Sequence, residues 1–468
     1  MTVVAQQLQL PDGLPTPRRY FAMLAISLGN ILAVIDMGIA NVALPTIARE
    51  LNVNSNDAVL VVTVYQLVLV MTVLPLAALG DRLGHRRVYQ IGQLIFTAAS
   101  FLCFFAKDLH TLLIVRAIQA LGGGALLSVS TALLRSIYPA EQIGRGLGLN
   151  AVVIATGLVI APPLGGLILS VAPWQWVFVA AVPFGLASLF IGRSALPRPR
   201  QYSDLFDLKG SVLSALTFGL LIIGLEGLAH GQPLYLSTLE ILCGAVLAIF
   251  FVRGQLRSPR PIMPVELLAK PMIAMSFLAN FAAHMAQMCV MVSMPFRLQH
   301  GYGFSPAETG AMISPWPFTV MIVAPLSGYL SDRIPASLLG GIGMAFAASG
   351  LAALSFLPAH PDAFDIGWRM VLCGLGFGMF FSPNARLLVS ATPRDRMAAL
   401  GGMIATTRLV AQTLGASLVA GILALNLGDG GLATMIACGL VVIACIISAA
   451  RLRQPAPGVS KTAVIDEF

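Results

Sequence analysis

Long apolar runs separated by short polar breaks occupy the chain almost from end to end, and they limit its fold more than any other feature. A helix crosses the hydrocarbon core of a bilayer with about 20 mostly apolar residues. Runs of this kind fall at 20–44, 58–79, 88–106, 109–137, 143–169, 174–196, 208–229, 236–252, 272–296, 305–330, 337–357, 365–390, 398–425 and 433–449. The Gly and Pro residues inside them do not veto a membrane helix, because both are tolerated there. Hydrophobic residues make up 57% of the 468 and charged residues only 10%, against about 25% charged in a soluble domain. No soluble fold of this length buries so much apolar surface. Lipid must therefore act as solvent, and the pattern predicts an all-α integral membrane protein with fourteen transmembrane helices.

The net charge of +8 raises the question of nucleic acid. No run of Lys and Arg is interleaved with aromatics, as a nucleic-acid surface would require. The charges instead alternate by loop. One set of loops holds Arg82, Arg86 and Arg87; Arg135 and Arg145; Arg193, Arg198, Arg200 and Lys209; Arg253, Arg257, Arg260 and Lys270; Arg333; and Arg394 and Arg396. Arg18 and Arg19 precede the first span, and Arg451, Arg453 and Lys461 follow the last. The other loops hold only Arg49, Lys107, Arg297 and Arg369. Cytoplasmic loops carry the excess of Lys and Arg. The expected topology therefore places both termini in the cytoplasm of a multi-pass protein of the cell (inner) membrane. The first 17 residues are polar and contain proline, unlike a cleavable signal peptide. All six cysteines fall inside apolar runs without CxxC spacing, as small buried hydrophobes do.

The breaks divide the chain into a tail at 1–19, a six-helix bundle at 20–196, linkers and an inserted helix pair at 197–271, a second six-helix bundle at 272–449, and a tail at 450–468. The cluster Pro197-Arg198-Pro199-Arg200 with Asp204 and Asp207 marks the first break. The basic, proline-rich stretch from Arg257 to Pro264 marks the second. The bundles also resemble each other. Gly80-Asp81-Arg82 follows the second span, and Gly328-Tyr329-Leu330-Ser331-Asp332-Arg333 follows the tenth, at about 61 and 60 residues from the start of the respective bundle. Arg116 and Arg369 then follow at 35 and 37 residues. Parallel duplicated halves with a site at their interface are an architecture of secondary transporters.

With these residues in register, the chain resembles the major facilitator superfamily, and within it the fourteen-span drug:proton antiporters. Asp81-Arg82-Leu83-Gly84-His85-Arg86-Arg87 is similar to the superfamily's cytoplasmic loop signature, with Ala77 where Gly is usual and His85 where Arg is usual. Arg116-Ala117-Ile118-Gln119 resembles the fourth-span Arg motif, with Ala120 in place of its Gly. Gly157 with Ala161-Pro162-Pro163-Leu164-Gly165-Gly166 resembles the fifth-span antiporter motif, again with Ala for one Gly. Ile35-Asp36 with Asn41-Val42-Ala43-Leu44-Pro45, and Trp174-Gln175-Trp176-Val177-Phe178 with Pro183-Phe184-Gly185, look like signatures of the fourteen-span group, Gln175 standing where Arg is usual. The resemblance implies a major facilitator fold of two six-helix bundles plus an inserted pair. It also implies proton-driven export of small amphipathic organic compounds, with no cofactor and no enzymatic activity. The partners implied are a small-molecule substrate, protons and membrane lipid; an accessory efflux partner is not identified.

Ionisable groups within a span are costly and are functional candidates by default. Asp36 is the carboxylate deepest in the first bundle. With Leu44 as the span's end it lies roughly 12 Å from the outer surface at 1.5 Å per residue. Arg116 lies roughly 10 Å below the start of its span by the same rise. The two read either as a structural ion pair or as a proton switch in which Arg116 holds Asp36 when it is ionised. Gly157, Pro162, Pro163, Gly165 and Gly166 read as tight helix packing or as a seal against leak. Asp81, Arg82, Gly84, Arg86, Asp332 and Arg333 read as topology and capping signals or, by the resemblance, as a cytoplasmic latch between bundles. The candidate substrate cavity comprises Tyr65, Gln119, His284, Gln287, Met288, Met291 and Arg408. Polarizable Met suits a promiscuous apolar site, although Met and a lone His also serve as filler. Arg386 is expected to snorkel at a helix end, and Glu226 to lie at the membrane interface. The chain has no GxxxxGK[ST] loop, HExxH or metal-ligand cluster, so an ATP-driven pump or a membrane enzyme is disfavoured. The rivals are an exporter dedicated to one metabolite, siderophore or lipid, a non-transporting receptor, and a passive channel. The repeat and the fifth-span motif disfavour the channel.

Overall fold

A computed structural model describes residues 13–139, 142–197, 208–258, 261–331, 333–393, 396–425, 427 and 431–453. Asp332, Arg198, Pro199, Arg200, Asp204, Asp207, Arg260, Arg394, Lys461 and most of both expected tails lie outside the described residues. Fourteen helices are long and apolar enough to cross a membrane. The first bundle comprises α1 (Thr16–Glu50), α2 (Ser55–Leu83), α3 (His85–Leu102), α4 (Leu109–Ile137), α5 (Ile143–Val171), α6 (Trp176–Val179) and α7 (Val182–Ala195), the last two forming one span. The inserted pair is α8 (Leu208–Ala229) and α9 (Leu234–Arg257). The second bundle comprises α10 (Pro271–Phe296), α11 (Pro306–Ile313) and α12 (Pro315–Leu330), which form one span, then α13 (Ala336–Ser355), α14 (Ala363–Ala391), α15 (Met397–Ala424) and α16 (Gly431–Ala450). Successive spans run in opposite directions. One face of the molecule collects the Arg-rich connections (the basic face), and the other is called the far face.

Local chemistry sets several helix ends on the far face. Asp108 caps α4 by accepting from the Thr111 amide at 2.9 Å. Ser305 and Glu308 form a reciprocal capping box at α11, and Asp362 and Asp365 form another at α14. The exposed Asp108 carboxyl lies below the usual carboxylate range, chiefly because the Thr111 amide and hydroxyl bond its ionised form. Burial is arranged the other way round from a soluble protein. Phe190, Leu242, Phe250 and Phe364 face outward, while Asn30, Asp36, Gln66, Gln93, Arg116 and Gln119 are buried between helices. Outward apolar side chains gain nothing in water but cost nothing in lipid. Inward polar groups must find partners within the protein, because the bilayer core offers none.

The duplication is visible in the packing. In the first bundle α2 and α3 pack on α4, α1 packs on α5 and α7, and α3 packs on α7. The second repeats this with α12 and α13 on α14, α10 on α15 and α16, and α13 on α16. Between the bundles, α2 runs against α15, α5 against α11 and α12, and α1 against α10 and α11. The inserted α8 packs on α2 and on α15, at the seam where the bundles meet, and α9 packs on α8.

The structure corrects three sequence expectations about extent. The first span does not end at Leu44: α1 continues through Pro45 to Glu50, since an interior proline is tolerated in a membrane helix. Asp36 therefore lies roughly 21 Å from that helix end. The second correction concerns Asp81 and Arg82, which are not in a loop. They sit in the last turn of α2, and a single residue, Gly84, joins α2 to α3. Its φ of +93° is a conformation other residues rarely adopt. Third, Arg451 is not in a solvated tail. It is 1% exposed and donates to Ser276 Oγ at 2.9 Å, Asn384 Oδ1 at 2.6 Å and Ser448 Oγ at 2.6 Å. One guanidinium thus ties α10, α14 and α16 together at the basic face. Replacing it by Leu would leave buried acceptors unmet, at about 1–3 kcal/mol. Arg451→Leu should accordingly lower the thermal unfolding midpoint of the purified protein in detergent, and an unchanged midpoint would show that the cluster is not needed for stability.

Candidate functional site

The charge cluster of the first bundle is assembled from five helices. Arg116 on α4 donates through Nη1 to Asp36 Oδ2 of α1 at 2.6 Å, and both side chains are 1% exposed. The same nitrogen donates to Gln119 Oε1 at 2.6 Å, and Arg116 Nε donates to the Val61 carbonyl of α2 at 3.2 Å. Gln119 Nε2 donates to Asp36 Oδ1 at 2.9 Å and to Ser100 Oγ of α3 at 2.8 Å. The guanidinium also lies 4.3 Å from the Tyr65 ring centre and 5.0 Å from that of Phe178 on α6. The i, i+3 spacing of Arg116 and Gln119 puts both on one face of α4, so one helix turn supplies a cation and an amide to the same carboxylate.

Tyr65 and Gln119, read from sequence as cavity residues, belong instead to this cluster and are buried. Met288 is buried too, and Gln66 Nε2 of α2 contacts its sulfur at 3.7 Å across the bundle interface. His284, Gln287, Met291 and Arg408 are partly exposed. The His284 ring stacks on Phe381 of α14 with centres 4.3 Å apart, and Gln287 Oε1 lies 3.4 Å from its Nδ1. Arg408 on α15 lies within electrostatic reach of this imidazole, and its buried Nε has no hydrogen-bond partner among the described residues. No carboxylate occurs on α10, so the second bundle does not repeat the Asp36–Arg116 pair. Arg369, the counterpart of Arg116 in the repeat, pairs locally with Asp365 at 3.1 Å.

The fifth-span motif lies where the bundles touch near the far face. A methyl at Gly166 would stand 2.8 Å from the Ala307 Cα of α11, and one at Gly310 would overlap the Pro162 carbonyl. Only glycine permits that approach of α5 to α11. Gly157 and Gly165 face α1, at Ile31 and Ile39, and Pro162 and Pro163 lie within an unbroken helix. Gln299 Nε2 adds a bond to the Val42 carbonyl at 3.1 Å, also between bundles.

At the basic face Asp81 is 63% exposed and lies 3.0 Å from His85 Nε2, one turn on. Arg86 donates to the Arg193 carbonyl, and Arg333 bonds Tyr329 at 2.9 Å. These contacts stay within each bundle. Arg386 donates to Ser331 Oγ at 3.1 Å.

Sequence reasoning missed several polar contacts. Asn30 donates to Asn150 Oδ1 at 2.7 Å and accepts from Ser130 at 2.8 Å. Glu226, expected at the interface, is buried instead, where it accepts from Ser417 of α15. A carboxylate in an apolar run was the available signal; the residue's nearness to the helix end obscured it.

Two packed, duplicated helical bundles with fourteen membrane-crossing helices, the first holding a buried charge pair, are the architecture of a membrane transporter. The family profile of the Major Facilitator Superfamily matches residues 26–416 and 276–466, and the chain belongs to that superfamily. It is 44% identical to the uncharacterized transporter YebQ of Escherichia coli (strain K12) over 95% of this chain and 98% of the relative. It is 28% identical to the riboflavin transporter RibZ of Clostridioides difficile (85% and 87% covered). It is 29% identical to the multidrug resistance protein Stp of Mycobacterium tuberculosis (86% and 75% covered). A bacterial homologue of the human lysosomal transporter Spinster, solved facing inward and unoccupied, shares the fold with a TM-score of 0.67 at 16% identity, over 93% of this chain and 96% of that one. The protein is a multi-pass membrane transporter and not an enzyme.

The pair's burial sets the cost of breaking it. Arg116→Met strands a buried carboxylate, at about 3–5 kcal/mol. The double variant Asp36→Asn/Arg116→Met strands no charge, so its destabilisation should be smaller than the sum of the two single ones. Additive losses in denaturant unfolding would show that the two residues do not share an interaction.

Proposed function

We propose that this transporter exports small amphipathic organic compounds in exchange for protons, by alternating access, from the cytoplasm across the bacterial inner membrane. The observation that carries the reading is the buried Asp36, held by Arg116 and Gln119. In this reading Arg116 holds Asp36 while it is ionised, and protonation releases that contact. Alternating access supplies the movement, and the transmembrane proton gradient supplies the drive, without a cofactor. The contacts between bundles near the far face, α5 on α11 and Gln299 on Val42, agree with a conformation closed on that side. The multidrug resistance relative supports export of several compounds.

A second reading is an exporter dedicated to one metabolite, which the riboflavin transporter among the relatives favours. His284 stacked on Phe381, beside Arg408, would suit one aromatic compound bearing a hydrogen-bond acceptor or an anionic group. A susceptibility and efflux panel in a pump-deficient bacterial host, spanning cationic, neutral and anionic compounds, separates the two. Export of several unrelated compounds supports the first reading, and export of one supports the second. In either case Asp36→Asn should abolish gradient-driven export while leaving the protein folded. Export at the wild-type level by that variant would remove Asp36 as the proton carrier.

Orientation follows from the basic face, which we place in the cytoplasm with both termini. In intact cells a membrane-impermeant maleimide should label Lys107→Cys and spare Arg87→Cys and Ser258→Cys. The reverse labelling would invert the topology and the direction of transport with it.

A further inference from the structure

The inserted pair has no counterpart in the repeat, yet it carries a buried carboxylate. Glu226 lies three residues from the far-face end of α8 and is 9% exposed. Three elements converge on it. From α15, the Ser417 hydroxyl bonds Oε1. From α2, Thr63 faces the carboxyl, its buried hydroxyl without a hydrogen-bond partner among the described residues. From the turn after α8, His230 Nδ1 is 3.4 Å from Oε2. Since α2 and α15 belong to different bundles, Glu226 sits across the seam that alternating access must work.

The hydrogen-bond inventory shows what this site accepts. His230 Nδ1 lies 2.9 Å from the Glu226 carbonyl, and Nε2 lies 3.2 Å from the Asn56 carbonyl. Carbonyls only accept, so both ring nitrogens donate only in the imidazolium form, which is the natural counter-charge of an ionised Glu226. Ser417 has two acceptors but one proton: Glu226 Oε1 and the Thr413 carbonyl at 2.9 Å. With Glu226 ionised, the hydroxyl donates to the carboxylate. When a proton arrives on Oε1, the acid donates to Ser417 Oγ, and the serine proton turns to the Thr413 carbonyl. Each state of the carboxyl keeps the Ser417 hydrogen bond at Oε1, and nothing but the one proton is gained. The other charged groups on the packed elements have separate surroundings. Asp57 on α2 is bonded to Asn54, Glu240 on α9 is bonded to Gln232, and Arg408 on α15 lies more than two turns away from Ser417.

We propose that Glu226, with Ser417 as its two-way hydrogen-bond partner and His230 as its counter-charge, is a second proton-binding site, set by the inserted helix pair across the far-face end of the seam. It stands apart from the role proposed for Asp36 and is tested without it. The measurement is the infrared difference spectrum of purified Asp36→Asn protein in lipid between mildly alkaline and mildly acidic pH. A band of a protonated, buried carboxylic acid should appear on acidification, shift in D2O, and vanish in Asp36→Asn/Glu226→Gln. Ser417→Ala should keep the band but change its frequency, because the acid's own hydrogen bond is lost. His230→Gln should move the pH at which it appears. A spectrum unchanged by Glu226→Gln, or no such band in the Asp36→Asn protein, would overturn the proposal. Because Ser417→Ala and His230→Gln keep the carboxyl, they decide the matter even if the glutamine variant folds poorly.

Discussion

Arg116 carries a guanidinium into the interior of the first bundle, 1% exposed, and much of that bundle is arranged around it. Its Nε and Nη1 donate to a carboxylate from α1, an amide one turn along its own helix and a carbonyl from α2, while Tyr65 and Phe178 cover its faces. In water such a pair would add little to stability. In the bilayer each partner is expensive without the other, so the helices that bring them can pack in only a few ways. The same requirement recurs around Arg451 in the second bundle, where three side-chain oxygens from three helices converge on one guanidinium.

The architecture was legible in the sequence because a membrane helix writes its length as an apolar run, and lipid leaves few alternatives to a helix. The span count, the inserted pair and the duplication follow from that and from the Asp-Arg segments repeated after the second and tenth spans. The ends of spans were less legible. Pro45 looks like a terminus, yet α1 passes through it; Gly84 looks like part of a loop, yet it joins two helices directly.

The site was legible only where a charge stood inside a run. Asp36 and Arg116 could be paired by depth, although α1 runs on past Leu44 to Glu50. Gln119 and Tyr65, read as cavity residues, lie in the Asp36–Arg116 cluster, because composition does not say which face of a helix meets its neighbour. Neutral polar residues such as Asn30, Gln66 and Ser417 gave still less signal. Their importance comes from partners more than a hundred residues away, and no local pattern announces those.

The two bundles are copies in packing but not in charge. α1 carries a carboxylate locked to α4; α10 carries none, but holds His284, stacked on Phe381, with Gln287 beside its ring. Duplication has thus separated two kinds of constraint that a single bundle would have had to satisfy together. Residues of α1 and α4 are bound by an electrostatic requirement that few substitutions can meet. Away from the Arg451 cluster, side chains of α10 and α14 such as those around His284 and Phe381 answer mainly to shape and polarity, so substitutions there should be tolerated more widely than at Asp36, Arg116 or Gln119.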